Sequence, residues 1–179
     1  MSLTPAIFLD RDGTLIEEVN FLSRVDDLRI FPFTKTALQQ LSDAGYKLFV
    51  VTNQSGIGRG LFTQEDMHDI HEALRAELGS LISGFYYCPH LPDAGCDCRK
   101  PKTALVERAA AEHGVELLSS WFVGDKDLDI YTGQNASMRT CLVSTGYGMQ
   151  HKELPDVEPT LIVKDIAEAA KEIIALSKT

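Results

Sequence analysis

Short apolar runs alternate with longer amphipathic segments along this chain, and this alternation constrains the fold more than any other feature. The five runs end at polar or turn residues and cover residues 6–9, 47–52, 84–87, 121–124 and 140–143. Hydrophobic runs of this length are typical of strands that are buried on both faces of a parallel sheet. The sequence therefore predicts a sheet built from these five strands.

The longer segments between the runs have the spacing of amphipathic helices. The predicted helices cover residues 34–44, 63–78, 103–113 and 165–176. In the first helix Leu38 and Leu41 share one face, and Gly45 is a C-terminal stop signal. Thr63 is an N-cap candidate because an acidic first turn follows it. Since alternating strands and helices need crossover connections, we expect a three-layer, Rossmann-like α/β fold with a central parallel sheet, as one domain over residues 1–179.

Four polar clusters lie after successive predicted strands. They are Asp10 with Asp12, residues 52–56, residues 99–101 and residues 124–126. Each cluster alone could be an ordinary turn, a solvated basic pair or a helix N-cap. In a parallel α/β sheet, however, functional groups collect outside the carboxyl ends of the strands. The shared position of the four clusters therefore favours one functional site.

Asp10 and Asp12 end the first apolar run two positions apart. Side chains at i and i+2 of a strand project to the same face, so the two carboxylates start out as neighbours. Such a pair is unfavourable unless a cation or a shared proton compensates the repulsion. Solvated turns and calcium loops also contain this pattern, so alone it does not distinguish a structural from a chemical role.

Three cysteines and a histidine fall within residues 88–98 and predict a zinc-binding loop. The candidate ligands are Cys88, His90, Cys96 and Cys98. Cysteines this close in an acidic intracellular chain favour metal ligation over disulfides, and a complete tetrahedral set leaves no position for a catalytic water. We therefore expect structural Zn²⁺, with a loop of free thiols as the alternative. Cys141 fits a small buried strand residue.

The composition restricts the class of partner. The chain has 179 residues, 44% hydrophobic and 24% charged, with a net charge of −9. This mixture is typical of a globular domain, and the acidic balance disfavours nucleic acid. No apolar run reaches the roughly 18 residues that span a bilayer, and no signal pattern begins the chain. We expect a cytoplasmic, monomeric protein that binds a small phosphorylated metabolite and neither nucleic acid nor a membrane.

The ordered motifs D-R-D-G-T, V-T-N-Q-S-G, C-D-C-R-K-P and G-D-K-D-L-D resemble the haloacid dehalogenase (HAD) superfamily of phosphatases over essentially the whole chain. Within it, residues 55–60 and Lys126 are most similar to the phosphatases of heptose 1,7-bisphosphate. The resemblance implies the HAD fold with a minimal cap, formed by a flap at residues 17–29. It also implies Mg²⁺-dependent hydrolysis of a phosphate monoester of a small sugar. A histidinol-phosphate phosphatase carries similar motifs and is the alternative.

The resemblance assigns the catalytic roles. Asp10 is the nucleophile that forms an aspartyl phosphate, and Asp12 is the general acid and base. Mg²⁺ is held by Asp10, Asp125 and the main-chain carbonyl of Asp12. Thr52 and Lys100 stabilise the transferring phosphoryl group.

The resemblance also implies a set of substrate contacts, and it leaves one non-catalytic alternative. The expected substrate-binding residues are Glu18, Asn20 and Phe21 in the flap, together with Asn53, Gln54, Ser55, Arg99 and Lys126. Zinc would fix the backbone that carries Arg99 and Lys100, because Cys98 directly precedes them. The alternative from a different class is a non-catalytic module that docks a partner protein through the zinc loop.

Overall fold

A six-stranded parallel sheet forms the centre of the computed structural model, which describes residues 3–179. The strands are β1 (Ala6–Leu9), β2 (Lys47–Asn53), β3 (Gly84–Cys88), β4 (Trp121–Gly124), β5 (Arg139–Val143) and β6 (Leu161–Val163). Their order across the sheet is β3-β2-β1-β4-β5-β6, and every neighbouring pair is parallel. The predicted parallel sheet is confirmed, and β1, which carries the paired aspartates, lies at its centre.

Seven α-helices accompany the strands within residues 3–179. They are α1 (Thr34–Asp43), α2 (Ser55–Gly58), α3 (Gln64–Leu78), α4 (Ala104–His113), α5 (Asp127–Asn135), α6 (Gly148–His151) and α7 (Ile166–Ser177). The four predicted helices correspond to α1, α3, α4 and α7. Three-residue 3₁₀ helices occur at Val25–Asp27, Gly79–Leu81 and Leu117–Ser119.

Strand β6 and helix α5 are absent from the predicted elements, and each has a physical reason. Three residues are too few for β6 to show a period. The buried face of α5 contains Asp129, Thr132 and Gly133 beside Ile130, so hydrophobic spacing does not mark it as a helix. Asp129 extends into the pocket at the end of the sheet, and Gly133 packs closely against Thr140.

The helices form two layers that cover the sheet. On one face α1, α3 and α7 pack against Ile7 and Leu9 of β1. On the other face Phe8 stacks between Phe49 and Phe122, at ring distances of 5.4 and 6.4 Å, and α4 packs against this aromatic row. Adjacent residues of β1 thus face opposite cores, as the pleat of a strand requires. This arrangement is the predicted three-layer α/β fold.

Local capping interactions fix where helices begin and end. Thr63 forms a capping box with Asp66, because its hydroxyl accepts from the Asp66 amide at 3.1 Å and the Asp66 carboxylate accepts from the Thr63 amide at 2.7 Å. The N-cap predicted at Thr63 is confirmed. Gly45 follows α1 with φ of +94°, a left-handed conformation that favours glycine at this position.

The segment between β1 and α1 lies over the carboxyl end of β1 and contributes Glu18, Asn20, Phe21 and Leu22 to the lining of the cavity there. Within residues 10–33 the helical structure is the single 3₁₀ turn at Val25–Asp27. This small flap is the minimal cap that was expected. No helix among residues 3–179 is long and apolar enough to cross a membrane.

Candidate active site

The four polar clusters meet at one edge of the sheet. Because the strands are parallel, the residues after β1, β2, β3 and β4 all emerge at the carboxyl end. They surround a pocket of about 240 Å³. Every residue predicted to act in catalysis or substrate binding lines it: Asp10, Asp12, Glu18, Asn20, Phe21, Thr52, Asn53, Gln54, Ser55, Arg99, Lys100 and Lys126. Asp125 does not line the pocket; it is fully buried, with its carboxylate close to that of Asp10.

Lys100 forms the central ion pairs of the site. Its Nζ donates to Asp10 at 3.0 Å, to Asp129 at 2.6 Å and to the Val51 carbonyl at 2.9 Å. All three donor positions of the ammonium group are therefore satisfied, as a buried cation requires. Burial favours the neutral amine, but Asp10 and Asp129 outweigh it and raise the pKa of Lys100. Lys100 is thus a fixed positive charge beside the Asp10 carboxylate.

Asp10 is buried and remains ionised. Its Oδ1 accepts from Lys100 and, at 2.9 Å, from the backbone amide of Arg11. Burial alone raises the pKa of this carboxyl, but Lys100 and Lys126 lower it overall. An anionic carboxylate at the base of a pocket can act as a nucleophile toward an electrophilic centre held above it.

Asp10, Asp125 and Asp129 form a compact carboxylate cluster, in which one oxygen of each lies within 4.8 Å of the others. Asp125 Oδ2 accepts from the Tyr147 amide at 2.8 Å. Asp125 Oδ1 is buried, and no described residue donates a hydrogen bond to it. Burial, followed by repulsion from Asp10 and Asp129, raises the pKa of Asp125 to about 9.

The unpartnered oxygen of Asp125 indicates what the cluster can bind. A buried carboxylate oxygen without a donor is costly unless a cation neutralises it. Oxygen ligands of this kind suit a hard divalent cation such as Mg²⁺. Gly13 and Gly146 leave room for the carboxylate, since a Cβ atom at either position would collide with Asp125 Oδ2. The residues present therefore fit Mg²⁺.

Asp12 points away from the carboxylate cluster. Arg11 donates to both of its oxygens, from Nε at 2.9 Å and from an NH₂ group at 3.2 Å. Gln54 donates to Asp12 Oδ2 at 3.1 Å and to the Thr52 hydroxyl at 2.8 Å. The Asp12 side chain lines the pocket without joining the carboxylate cluster.

Asn53 and Ser55 occupy different positions at the pocket wall. The Asn53 side chain accepts from the Lys100 amide at 3.1 Å and donates to the Lys100 carbonyl at 3.4 Å, so it holds the backbone of that residue. Ser55 is the first residue of α2. The observed contacts give Asn53 a role in fixing Lys100, and its role in substrate binding stays a prediction.

The flap contacts the pocket through a charged residue and an aromatic one. Glu18 lies 3.6 Å from Lys126 Nζ, and the Arg59 guanidinium lies 5.6 Å from the centre of the Phe21 ring. Asn20 and Phe21 have φ values of +51° and +61°, which side-chain-bearing residues adopt rarely. This backbone turn places both residues at the pocket rim.

Five further residues line the pocket but were not among the predicted contacts: Leu22, Gly56, Leu128, Asp129 and Tyr147. Tyr147 belongs to the loop after β5, so the rule that located the other clusters could have found it. Asp129 accepts a hydrogen bond from Lys100 at 2.6 Å, so it helps to fix the position of that ammonium group.

Cys88, His90, Cys96 and Cys98 converge in the loop after β3. The distances are 3.6 Å between Cys88 and Cys96 Sγ, 3.5 Å from Cys88 Sγ to His90 Nδ1, and 3.2 Å from His90 Nδ1 to Cys98 Sγ. Ligands at zinc–sulfur and zinc–nitrogen bond lengths would lie roughly 3.5–3.8 Å apart at the corners of a tetrahedron. The four residues therefore fit Zn²⁺.

The cysteine loop is connected to the pocket through Arg99. Burial raises the pKa of Cys96, but the Arg99 amide and the neighbouring thiols outweigh it and lower this pKa to about 6. An NH group of the Arg99 side chain is buried, and no partner for it lies among residues 3–179. The cysteine loop thus leads into Arg99, which lines the pocket and has one side-chain NH group without a hydrogen-bond partner.

Comparisons with known proteins agree with this geometry. A sequence profile of the HAD-hydrolase-like family matches residues 97–169. D-glycero-beta-D-manno-heptose-1,7-bisphosphate 7-phosphatase from Pseudomonas aeruginosa is 37% identical and covers 94% of this chain and 97% of the relative. The enzyme of the same name from Pseudomonas putida is 39% identical, with coverage of 94% and 98%. The chain belongs to the heptose-bisphosphate phosphatase family of HAD-like hydrolases.

A solved member of this family has the same fold. The crystal structure of D,D-heptose 1,7-bisphosphate phosphatase from B. bronchiseptica, in complex with magnesium and phosphate, matches with a TM-score of 0.87. The two chains are 30% identical, and the match covers 98% of this chain and 99% of the other. The expected fold class and superfamily are therefore confirmed.

Mg²⁺ binding should depend on pH, because Asp125 must lose its proton to bind the cation. With the pKa of Asp125 near 9 before metal binding, apparent Mg²⁺ affinity should rise by about tenfold per unit between pH 6.5 and 8.5. Calorimetry in two buffers of different ionisation enthalpy should detect release of about one proton per site. The exposed-site variant D156N should behave like the wild type. A pH-independent affinity without proton release would contradict this assignment.

Loss of one cysteine ligand should remove zinc and loosen the pocket cations. In C96S the zinc content should fall from about one ion per chain to near zero, and KM should rise more than kcat falls, because Arg99 and Lys100 lose their fixed backbone. Elemental analysis, circular dichroism and steady-state kinetics measure these effects. The control C141A changes a cysteine outside the cluster and should retain zinc. Full zinc occupancy in C96S would refute the ligand set.

Proposed function

We propose that this protein is a Mg²⁺-dependent phosphatase that removes the 7-phosphate of D-glycero-D-manno-heptose 1,7-bisphosphate through an aspartyl phosphate on Asp10. The observation that carries the proposal is the buried Asp10–Lys100 pair beside the unpartnered oxygen of Asp125. This arrangement combines an anionic nucleophile, a fixed cation and a cation-binding cluster in one pocket. Hydrolysis of a phosphate monoester through a metal-assisted aspartyl phosphate uses all three.

In the first half-reaction, an Asp10 oxygen attacks phosphorus as the bond to the substrate oxygen breaks. The phosphoryl group is transferred to Asp10, and the electron pair of the broken bond leaves with the sugar oxygen. In the second half-reaction, water attacks the phosphorus of the aspartyl phosphate and releases inorganic phosphate. The covalent intermediate replaces one difficult displacement with two easier ones.

Asp12 supplies and removes the proton in these two steps. In its protonated form it donates to the departing sugar oxygen, and the resulting carboxylate then accepts a proton from the attacking water. Its position on the pocket wall, outside the carboxylate cluster, supports this role. One residue therefore serves both half-reactions and returns to its starting protonation state.

The remaining charged groups stabilise the transferring phosphoryl group. Lys100 and the hydroxyl of Thr52 lie at the base of the pocket near Asp10. Donors that are already oriented stabilise the developing charge without reorganisation. Asp10, Asp125 and the main-chain carbonyl of Asp12 would hold a divalent cation, which would neutralise negative charge during phosphoryl transfer.

Arg99, Lys126 and the flap support recognition of the rest of the substrate. A guanidinium fork suits a second phosphate or paired sugar oxygens, and Lys126 adds a second positive charge. Glu18, Asn20 and Phe21 border the open side of the pocket. Zn²⁺ has a structural role in the loop that leads to Arg99.

The relatives favour the heptose substrate over the alternatives left open by the sequence. Two relatives that span nearly the whole chain carry the heptose-bisphosphate phosphatase name. This supports a sugar bisphosphate rather than histidinol phosphate, which shares the short motifs. A module that only docks a partner would not need the Asp10–Lys100 pair or the cation cluster.

A substrate comparison tests the proposal. With Mg²⁺ present, kcat/KM for heptose 1,7-bisphosphate should exceed that for histidinol phosphate by at least about tenfold, because Arg99 and Lys126 match a second anionic group. Phosphate release measures both reactions. The D10N variant should lose all activity, and D156N should keep it, which excludes a contaminating enzyme.

Each negative result has a distinct meaning. A clear preference for histidinol phosphate would overturn the substrate assignment and keep the reaction class. Wild-type activity that persists in D10N would overturn the nucleophile. Absence of phosphate release from every ester would favour the docking module.

A further inference from the structure

Arg11 lies between Asp10 and Asp12 in the sequence. Its side chain is fully buried and contacts a histidine on helix α3. Two of its nitrogens donate to Asp12. The third, NH1, lies 3.2 Å from Nε2 of His71 on α3. The guanidinium therefore bridges the proton-carrying carboxylate of the proposed mechanism and a side chain sixty positions away along the chain.

His71 can only be the acceptor in this contact. A guanidinium has donors and no acceptor, so the Nε2 atom that faces it must carry a lone pair and the ring must be neutral. His71 is 2% exposed and stacks on Phe85, with ring centres 4.5 Å apart. Burial, then repulsion from Arg11, lowers the pKa of His71 to about 3, so the ring keeps its acceptor at neutral pH.

We infer that His71 is a positioning residue, which acts through Arg11 to hold the Asp12 carboxyl where it can protonate the leaving group. This inference rests on the proposed function. The side chain of His71 does not line the pocket, so it cannot act on the substrate directly.

The shape of arginine explains why the Arg11 head group needs a contact with His71 in addition to its two contacts with Asp12. A long side chain with several rotatable bonds orients a carboxylate well only if its planar head is fixed. Asp12 holds one edge of the Arg11 head, and His71 holds the remaining nitrogen. The stacked Phe85 in turn fixes the histidine ring. General acid catalysis requires this precision, because a misplaced proton donor loses much of its effect.

The dependence of activity on the leaving group distinguishes positioning of Asp12 from general stability. A sugar alkoxide needs a proton as it departs, whereas 4-nitrophenolate leaves readily without one. The variant H71F retains an aromatic ring against Phe85 but has no acceptor for Arg11. The matched variant H71Q retains an acceptor oxygen on its side-chain amide.

The experiment measures kcat/KM of the Mg²⁺-loaded enzyme with heptose 1,7-bisphosphate and with 4-nitrophenyl phosphate. H71F should lose roughly tenfold to hundredfold on the sugar phosphate and less than about twofold on the aryl phosphate. H71Q should stay within about threefold of the wild type on both substrates. This kcat/KM ratio reports the first half-reaction, in which Asp12 acts as the acid.

Equal losses on the two substrates would overturn the positioning role, as would an H71Q variant as impaired as H71F. If H71F does not fold, H71L provides the same loss of acceptor, and thermal melting verifies that each tested variant is folded. Wild-type enzyme that cleaves neither ester would instead refute the proposed function. The two failures are therefore distinguishable.

Discussion

The excess of buried negative charge at the carboxyl end of β1 is the constraint on which the site depends. Asp10, Asp125 and Asp129 lie within 4.8 Å of one another, and Lys100 pairs with only two of them. Burial, followed by repulsion from Asp10 and Asp129, raises the pKa of Asp125 to about 9. A bound divalent cation would complete the charge balance. The proposed chemistry therefore rests on occupation of this cluster by such a cation.

Several distant parts of the fold serve this charge arrangement. The loop of residues 88–98 leads directly into Arg99 and Lys100, and the Asn53 side chain holds the Lys100 peptide from β2. Asp129 reaches Lys100 from α5 at the cost of an apolar position in that helix. Catalytic groups on separate loops can be held rigidly in this way, because each loop is anchored to a buried parallel strand.

The sequence was informative where one rule of geometry applied and uninformative where contacts were remote. Asp10, Thr52 and Asp125 could be brought together because each ends a recognisable strand. The contact between Arg11 and His71 carries no such signal, since it joins a loop to a helix across sixty positions. Helix α5 was not predicted because its buried face is largely polar, and one of these polar residues, Asp129, contacts Lys100 in the site. That residues 1–179 form one domain stays a prediction.

The most direct test of the account is to trap the covalent intermediate on Asp10. In D12N the second half-reaction lacks its general base, so an aryl phosphate, which needs no general acid, should phosphorylate the enzyme faster than water can release the phosphate. Rapid acid quenching and peptide mass spectrometry should find one phosphoryl group on Asp10. Turnover by the wild type without any phosphorylation of Asp10, or with phosphate attached to another residue, would contradict the account.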